Sequence, residues 1–407
     1  MSAPSTNKTL LRREVGLLLL CLYGLGNILG AGIYVLVGKV AGHAGYYTLL
    51  SFMMAGLVAG FTAFTYAELS SRFPVAAGVA VYLHEGFGKA WLSITAGIAI
   101  ALAGMLSAAT IVKGFAGYTQ VFFNASDVTI IGIILVILVL ITIWGIKESV
   151  TTAAFLTLLE IIGLLIIVSL GFENIDKISE KITTLPSITE LEIWPGIITG
   201  AFLAFYAFLG FEDMVNISEE TKNSEINMPR AIIIALFIST ILYALVALAA
   251  LIIMPPEQLA SSKAPLADVY QIATSQSPVL ITIISASAVI NGALIQIIMA
   301  TRIFYGMSQR DWLPKILSYI HPRTQTPIIS TIIVGLIIFI LASWFPLVTL
   351  ATYTSFLILI IFILVNLALL RVKKQPAPKK SRSYPIWVPI CGVIGSSLLL
   401  LGQIIFS

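Results

Sequence analysis

Long apolar segments, almost free of charge, recur along the whole of this chain. Crossing a bilayer takes about 20 predominantly apolar residues. Eleven segments fit that length: 14–38, 46–70, 89–119, 128–146, 150–171, 196–218, 229–254, 278–303, 327–344, 347–370 and 385–406. Backbone polar groups inside lipid must be satisfied internally, which makes such segments helices. Of the 407 residues, 58% are hydrophobic and only 10% are charged, against about 25% charged in soluble domains. The sequence predicts an all-α polytopic membrane protein of about eleven transmembrane helices. Residues 1–407 form one transmembrane domain, and Met1 to Arg13 is a polar start rather than a cleavable leader.

Lys and Arg set the orientation, because cytoplasmic loops retain them. With the N-terminus inside, the inner segments hold 18 of the 23 basic residues. The outer loops hold Lys39, Lys177, Lys181 and Lys263, and Lys113 lies within the third segment. The expectation is a multi-pass protein of the plasma membrane with a cytoplasmic Met1 and, for an odd helix count, an external Ser407. Cys21 and Cys391 both sit in apolar segments and read as buried hydrophobes. His43, His84 and His321 are scattered and show no metal-ligand spacing. There is no plausible catalytic triad, no GxxxxGK[ST] phosphate loop and no repeated filter sequence. The reading is therefore not an enzyme: no catalytic residue, no cofactor, no metal and no nucleic-acid partner.

The first segment contains GLGNILGAGIY, with Gly24, Gly26, Gly30 and Gly32 at mid-depth. Each glycine costs a helix about 1 kcal/mol against Ala. Close helix packing is one explanation. The sixth segment, GAFLAFYAFLGFEDMVNISEE, points to another. Gly210 lies in its middle, followed at once by Glu212 and Asp213. The two segments are five apart, and inverted five-helix repeats whose first helices are discontinuous are a transporter plan. Free N–H groups at a half-helix start attract a carboxylate, and free carbonyls at a half-helix end attract an ammonium. A zwitterion matches both.

Four stretches carry a family resemblance: GNILGAGIY, YAELSSRFPVAAGVAVYLHEGFG, FYAFLGFEDMVNISEETKNSEINMPRA and RIFYGMSQRDWLPKILSYIHPRTQTP. In this order and spacing the chain resembles the amino acid–polyamine–organocation superfamily of transporters, with the leucine-transporter fold. The resemblance implies a 5+5 inverted repeat with helices 1 and 6 broken at mid-membrane. Residues 14–171 would form the first repeat, 196–370 the second, and 385–406 an additional helix. It implies that the backbone N–H groups of Gly30, Ala31 and Gly32 hold a substrate carboxylate. The carbonyls of Ile28, Tyr206, Ala207 and Leu209 would take the α-ammonium, and the Tyr206 ring would cover the substrate. Asn27 and Asn291 are further pocket candidates.

Ionisable groups at membrane depth are functional hypotheses. Lys113 has a stem long enough to snorkel outward. Glu160, in LLEIIGLLIIV, has no charged neighbour within ten residues and cannot snorkel far. Desolvation favours its neutral form. Family position places Glu160 near the carbonyls of Gly26 and Leu29 and near Ser287. A proton on Glu160, or a sodium ion ligated by these oxygens, would couple to the first helix. The function implied is a secondary active transporter working by alternating access, with proton-coupled uptake of neutral amino acids. Exchange, sodium symport and polyamine or amine transport are the alternatives, and a nutrient sensor on the same fold is a different class. The partners implied are an amino-acid substrate, the lipid bilayer and a co-transported proton or sodium, with the protein a monomer or weak homodimer.

Overall fold

The computed structural model describes residues 13, 15–75, 78–119, 125–144, 147–177, 187–322, 324, 326–378 and 381–406. Among these residues the chain is helical, and its β pairing is an isolated bridge between Val15 and Thr221. Each apolar segment read from the sequence falls on a helix. Helix α1 spans Leu17–Ala44 and α2 spans Thr48–Arg72. Gly45, at φ 55°, turns the chain between them, a left-handed conformation glycine adopts without a Cβ penalty. Then come α3 (Gly78–Phe87), α4 (Ala90–Thr119), α5 (Asp127–Trp144) and α6 (Lys147–Glu173). The second half holds α7 (Trp194–Ala207), a 3-10 segment (Glu212–Glu220) and α8 (Ser224–Ile253). It continues with α9 (Pro256–Ser261), α10 (Pro265–Thr274) and α11 (Val279–Gln309). The last helices are α12 (Ile328–Trp344), α13 (Leu347–Val372) and α14 (Trp387–Phe406).

Nine helical stretches of the described residues are long and apolar enough to cross a membrane, with Leu17–Arg72 counted as one stretch of 56 residues. Ile328–Trp344 is equally apolar but shorter, at 17 residues. The stretch after α2 contains α3, because Val79, Tyr82 and Leu83 share a buried apolar face. The connection from Pro255 to Ser277 holds two short helices, α9 and α10.

The helices pack in pairs. The most extensive contacts are α4 on α11, α2 on α8 and α1 on α7. Among the long segments, the members of each pair stand five places apart. Helix α1 is also lined by α6, α8 and α11, so its middle is enclosed on all sides. Lipid-facing helices look different. Helix α5 exposes Ile133, Val136, Ile137 and Leu140, and α14 exposes Ile394, Leu398, Leu401 and Ile405. Apolar side chains facing lipid cost nothing, so association must come from packing and small residues. Gly395 and Gly402 of α14 accordingly lie against Val58 and Ile198.

Candidate functional site

Two interruptions meet in the middle of the bundle. In α1, Gly30 leaves the helical conformation, at φ −30° and ψ −133°. Helix α7 ends at Ala207, residues 208–211 form turns, and the chain recoils as a 3-10 helix from Glu212. Gly210 has φ 126°, a backbone conformation that L side chains rarely adopt. The two interruptions touch backbone to backbone. A Cβ on Gly32 would fall 2.4 Å from the Cα of Ala207, and one on Gly210 would fall 2.8 Å from the carbonyl of Asn27. Gly30 faces Gly292 of α11 at ordinary contact distance. Ala31 lies between them in α1, and its side chain lies outside the described residues.

The expected acceptors for an ammonium behave in two ways. The carbonyls of Ile28 and Ala207 converge on one atom: the Tyr243 hydroxyl reaches both, at 2.8 Å for Ala207. The carbonyl of Tyr206 instead takes the Leu209 N–H at 3.2 Å, which closes the last turn of α7. Leu209 itself is buried at that turn. Tyr243 was not read from the sequence, since a single tyrosine in an apolar helix carries no distinguishing pattern.

The Tyr206 ring is fixed from α4. Its hydroxyl lies 3.0 Å from Oγ of Ser107 and donates to the Ser107 carbonyl at 3.2 Å. Asn27 pins the second interruption. Its Nδ2 donates to the Gly210 carbonyl at 2.7 Å and to Oδ2 of Asp213 at 3.0 Å. Gln296 of α11 donates to the same Asp213 oxygen at 2.8 Å. Glu212 accepts the Gly210 N–H at 2.8 Å, satisfying a donor that the turn leaves free. Both acids are therefore engaged in holding the break. They also border a cavity lined by Val79, Ala80, Gly97, Ile100, Asn216, Ile303 and Met307, at the end of the bundle where α3 lies.

Glu160 is fully buried on α6. Its Oε1 accepts from Nδ2 of Asn291 at 3.0 Å, and Thr157 Oγ1 lies 3.3 Å from the same nitrogen. Gly26 packs directly on this group: a Cβ there would fall 2.1 Å from Thr157 Oγ1 and 2.7 Å from Asn291 Nδ2. Leu29 is buried one turn away. Oε2 of Glu160 and Oδ1 of Asn291 are buried with no hydrogen-bond partner among the described residues. Asn291, a pocket candidate, thus sits against Glu160. The Ser287 hydroxyl donates back to Ile283 of its own helix at 2.9 Å. The Nζ of Lys113 donates to the Ala342 carbonyl at the end of α12 at 3.0 Å, where the helix dipole favours a cation.

At the far end of the bundle α1 packs on α9. A Cβ on Gly38 of α1 would fall 2.2 Å from the Leu259 carbonyl of α9, and Lys39 donates to the Ala260 carbonyl at 2.6 Å.

Known proteins share this architecture. The chain is 28% identical over 398 residues to the branched-chain amino acid permease BcaP of Bacillus subtilis, covering 92% of this chain and 84% of that one. It is 29% identical over 424 residues to the methylthioribose transporter of the same organism, covering 98% and 89%. A solved structure of MhsT in complex with L-phenylalanine superposes with a TM-score of 0.65 at 14% identity, covering 97% of this chain and 98% of the other. That likeness shows the leucine-transporter fold. The family model described as amino acid permease matches residues 15–407. With all but its first fourteen residues covered by that model, the chain belongs to the amino acid permease family, and it is a transporter rather than an enzyme.

Proposed function

We propose that this permease takes up neutral amino acids across the plasma membrane by alternating access, coupled to protons. The observation that carries the reading is the convergence of the Ile28 and Ala207 carbonyls, from two separate helix interruptions, on one hydrogen-bond donor. A phenolic hydroxyl has one proton to give; an ammonium has three. The α-ammonium of a substrate takes the place that the Tyr243 hydroxyl now fills. The N–H groups of Gly30, Ala31 and Gly32 hold the carboxylate. Tyr206, braced by Ser107, covers the ligand.

Neutral side chains fit because the nearby charges are engaged. Glu212 and Asp213 are bonded to Gly210, Asn27 and Gln296, and Lys113 is bonded to Ala342. The pairing of α1 with α7, α2 with α8 and α4 with α11 fits two inverted repeats, 14–171 and 196–370. The packed α9 end and the cavity beside Glu212 and Asp213 fit a conformation shut outward, with Met1 cytoplasmic and Ser407 external. A reporter fused after Ser407 that is active only in the cytoplasm overturns this orientation.

Coupling rests on Glu160. When neutral, it donates a hydrogen bond to a free carbonyl of α1; when ionised, it only accepts and repels those carbonyls. Protonation thereby biases α1, and a differential interaction with two states is what shifts an equilibrium. Sodium symport is the second reading, favoured by the unpartnered oxygens of Glu160 and Asn291, which suit a hard cation. The test has two steps. A thermal-shift screen against amino acids and amines identifies the ligand, since binding the folded state raises stability by mass action. Uptake into proteoliposomes under imposed proton or sodium gradients then names the ion. Stabilisation by amines lacking a carboxylate, with none by amino acids, overturns the substrate assignment.

A further inference from the structure

The segment joining α13 to α14 carries a charge excess that is only partly balanced among the described residues. From Arg371 to Arg382 it holds Arg371, Lys373, Lys374, Lys379, Lys380 and Arg382, and the sequence contains no acid after Asp311. Glu68, at the end of α2, takes Lys373 at 2.7 Å but also takes Arg72 at 2.7 Å. One buried carboxylate thus faces two cations. Among the described residues, Arg371, Lys374 and Arg382 are exposed and none is paired with a carboxylate. The exposed acids on neighbouring elements, Glu85 on α3 and Glu225 on α8, form no ion pair with them among the described residues.

These three cations sit on an anchored surface. The Arg371 guanidinium lies over the Phe87 ring, 4.4 Å from its centroid. The Arg382 N–H donates to Ser71 Oγ at 3.0 Å, the Tyr384 N–H donates to Glu68 Oε2 at 2.9 Å, and Lys373 donates to the Tyr384 carbonyl at 2.6 Å. Ile386 and Trp387, where α14 begins, are 60% and 56% exposed. An exposed tryptophan at a helix end marks the headgroup level of a bilayer. Fixed cations beside such a ring meet lipid phosphates rather than bulk water.

We propose that the α13–α14 connection is a docking surface for the headgroups of anionic phospholipids, with Arg371, Lys374 and Arg382 as its ligands. The missing counter-charge comes from the membrane, and a basic cluster next to a transmembrane helix attracts acidic lipid electrostatically. Because the same segment grips Glu68 and Ser71, the bound lipid bears directly on the inner end of α2. The inference is independent of the transport reading, and its test measures no transport.

The test uses the full chain reconstituted in mixed bilayers with spin-labelled phosphatidylglycerol or phosphatidylcholine. The fraction of each lipid held motionally restricted by the protein is read. Wild type should restrict phosphatidylglycerol severalfold more strongly than phosphatidylcholine, and high salt should shrink the difference. The triple variant Arg371→Gln, Lys374→Gln, Arg382→Gln should lose most of the preference and keep its phosphatidylcholine fraction. A control pair on another inner loop, Arg310→Gln with Lys315→Gln, should keep the preference. Equal restriction of both lipids by wild type overturns the proposal, as does a preference retained by the triple variant. If the triple variant fails to insert, the salt titration of wild type decides: a preference unchanged in high salt overturns the electrostatic site.

Discussion

Glu68 and Glu160 are both fully buried glutamates within helices, and their surroundings are opposite. Glu68 accepts from two nitrogens of Arg72, from Lys373, from the Tyr384 N–H and from Ser383. Glu160 accepts from one amide nitrogen, and its second oxygen has no hydrogen-bond partner among the described residues. A carboxylate held at both oxygens by cations and N–H donors has no site open to a further ligand. One with a free oxygen beside a helix interruption has a place for a proton or a cation. Burial alone therefore does not mark a functional acid; incomplete satisfaction does. The first glutamate is a joint holding α2, α13 and the following connection, and the second is the coupling group of the proposed cycle.

The same substitution at both positions is the sharpest way to break this contrast. Glu68→Gln leaves Arg72 and Lys373 without their anion, and breaking a buried pair costs about 3–5 kcal/mol. The expected result is a large fall in melting temperature. A wild-type melting temperature in Glu68→Gln removes the joint. Glu160→Gln should do the reverse: stability within about 1 kcal/mol of wild type, since it loses no charge partner, while uptake no longer concentrates substrate and exchange persists. Accumulation with unchanged pH dependence in that variant makes Glu160 structural. At the lid, Tyr206→Ala should lower both turnover and substrate retention. Tyr206→Phe loses the hydroxyl's contacts with both Oγ and the carbonyl of Ser107, and Ser107→Ala loses only the first; each should cost about 0.5–1.5 kcal/mol of binding, and the double variant no more than Tyr206→Phe alone. Additive losses in the double variant would show that Ser107 does not brace the ring. The smallest effect belongs to Lys113. Lys113→Met should cost about 0.3–1 kcal/mol of stability and leave uptake unchanged; a loss of uptake would place Lys113 in the pathway.

Much of the fold was legible because hydropathy at bilayer length leaves few choices. The glycine-rich middle of α1 and Gly210 drew attention in the sequence, since glycine in a helix interior needs a reason. Asn27 and Glu160 stood out as polar groups at membrane depth. What could not be read was partnership. Asn291 and Ser287 share a helical face in sequence, yet one meets Glu160 and the other bonds its own helix. The difference is set by how α6 approaches α11, which no local pattern encodes. Tyr243 and Ser107 were silent for the same reason: each matters only through an atom contributed by a distant helix. The saturation of Glu68 likewise joins residues more than 300 positions apart.

The contact between Gly32 and Ala207 bears on how this protein can be re-engineered. A Cβ at position 32 meets the Cα of residue 207 at 2.4 Å, which is main chain rather than side chain. Trimming residue 207 to glycine would remove its Cβ at 2.6 Å but not that Cα. No second-site substitution at the contact relieves the clash, so a library randomised at position 32 should return glycine whatever ligand is selected for. A loss of binding in Gly32→Val would then report the collision of two backbones, and cannot be read as contact with a carboxylate. Diversity aimed at altered specificity belongs instead on side chains that approach the lid from other helices, beginning with Ser107.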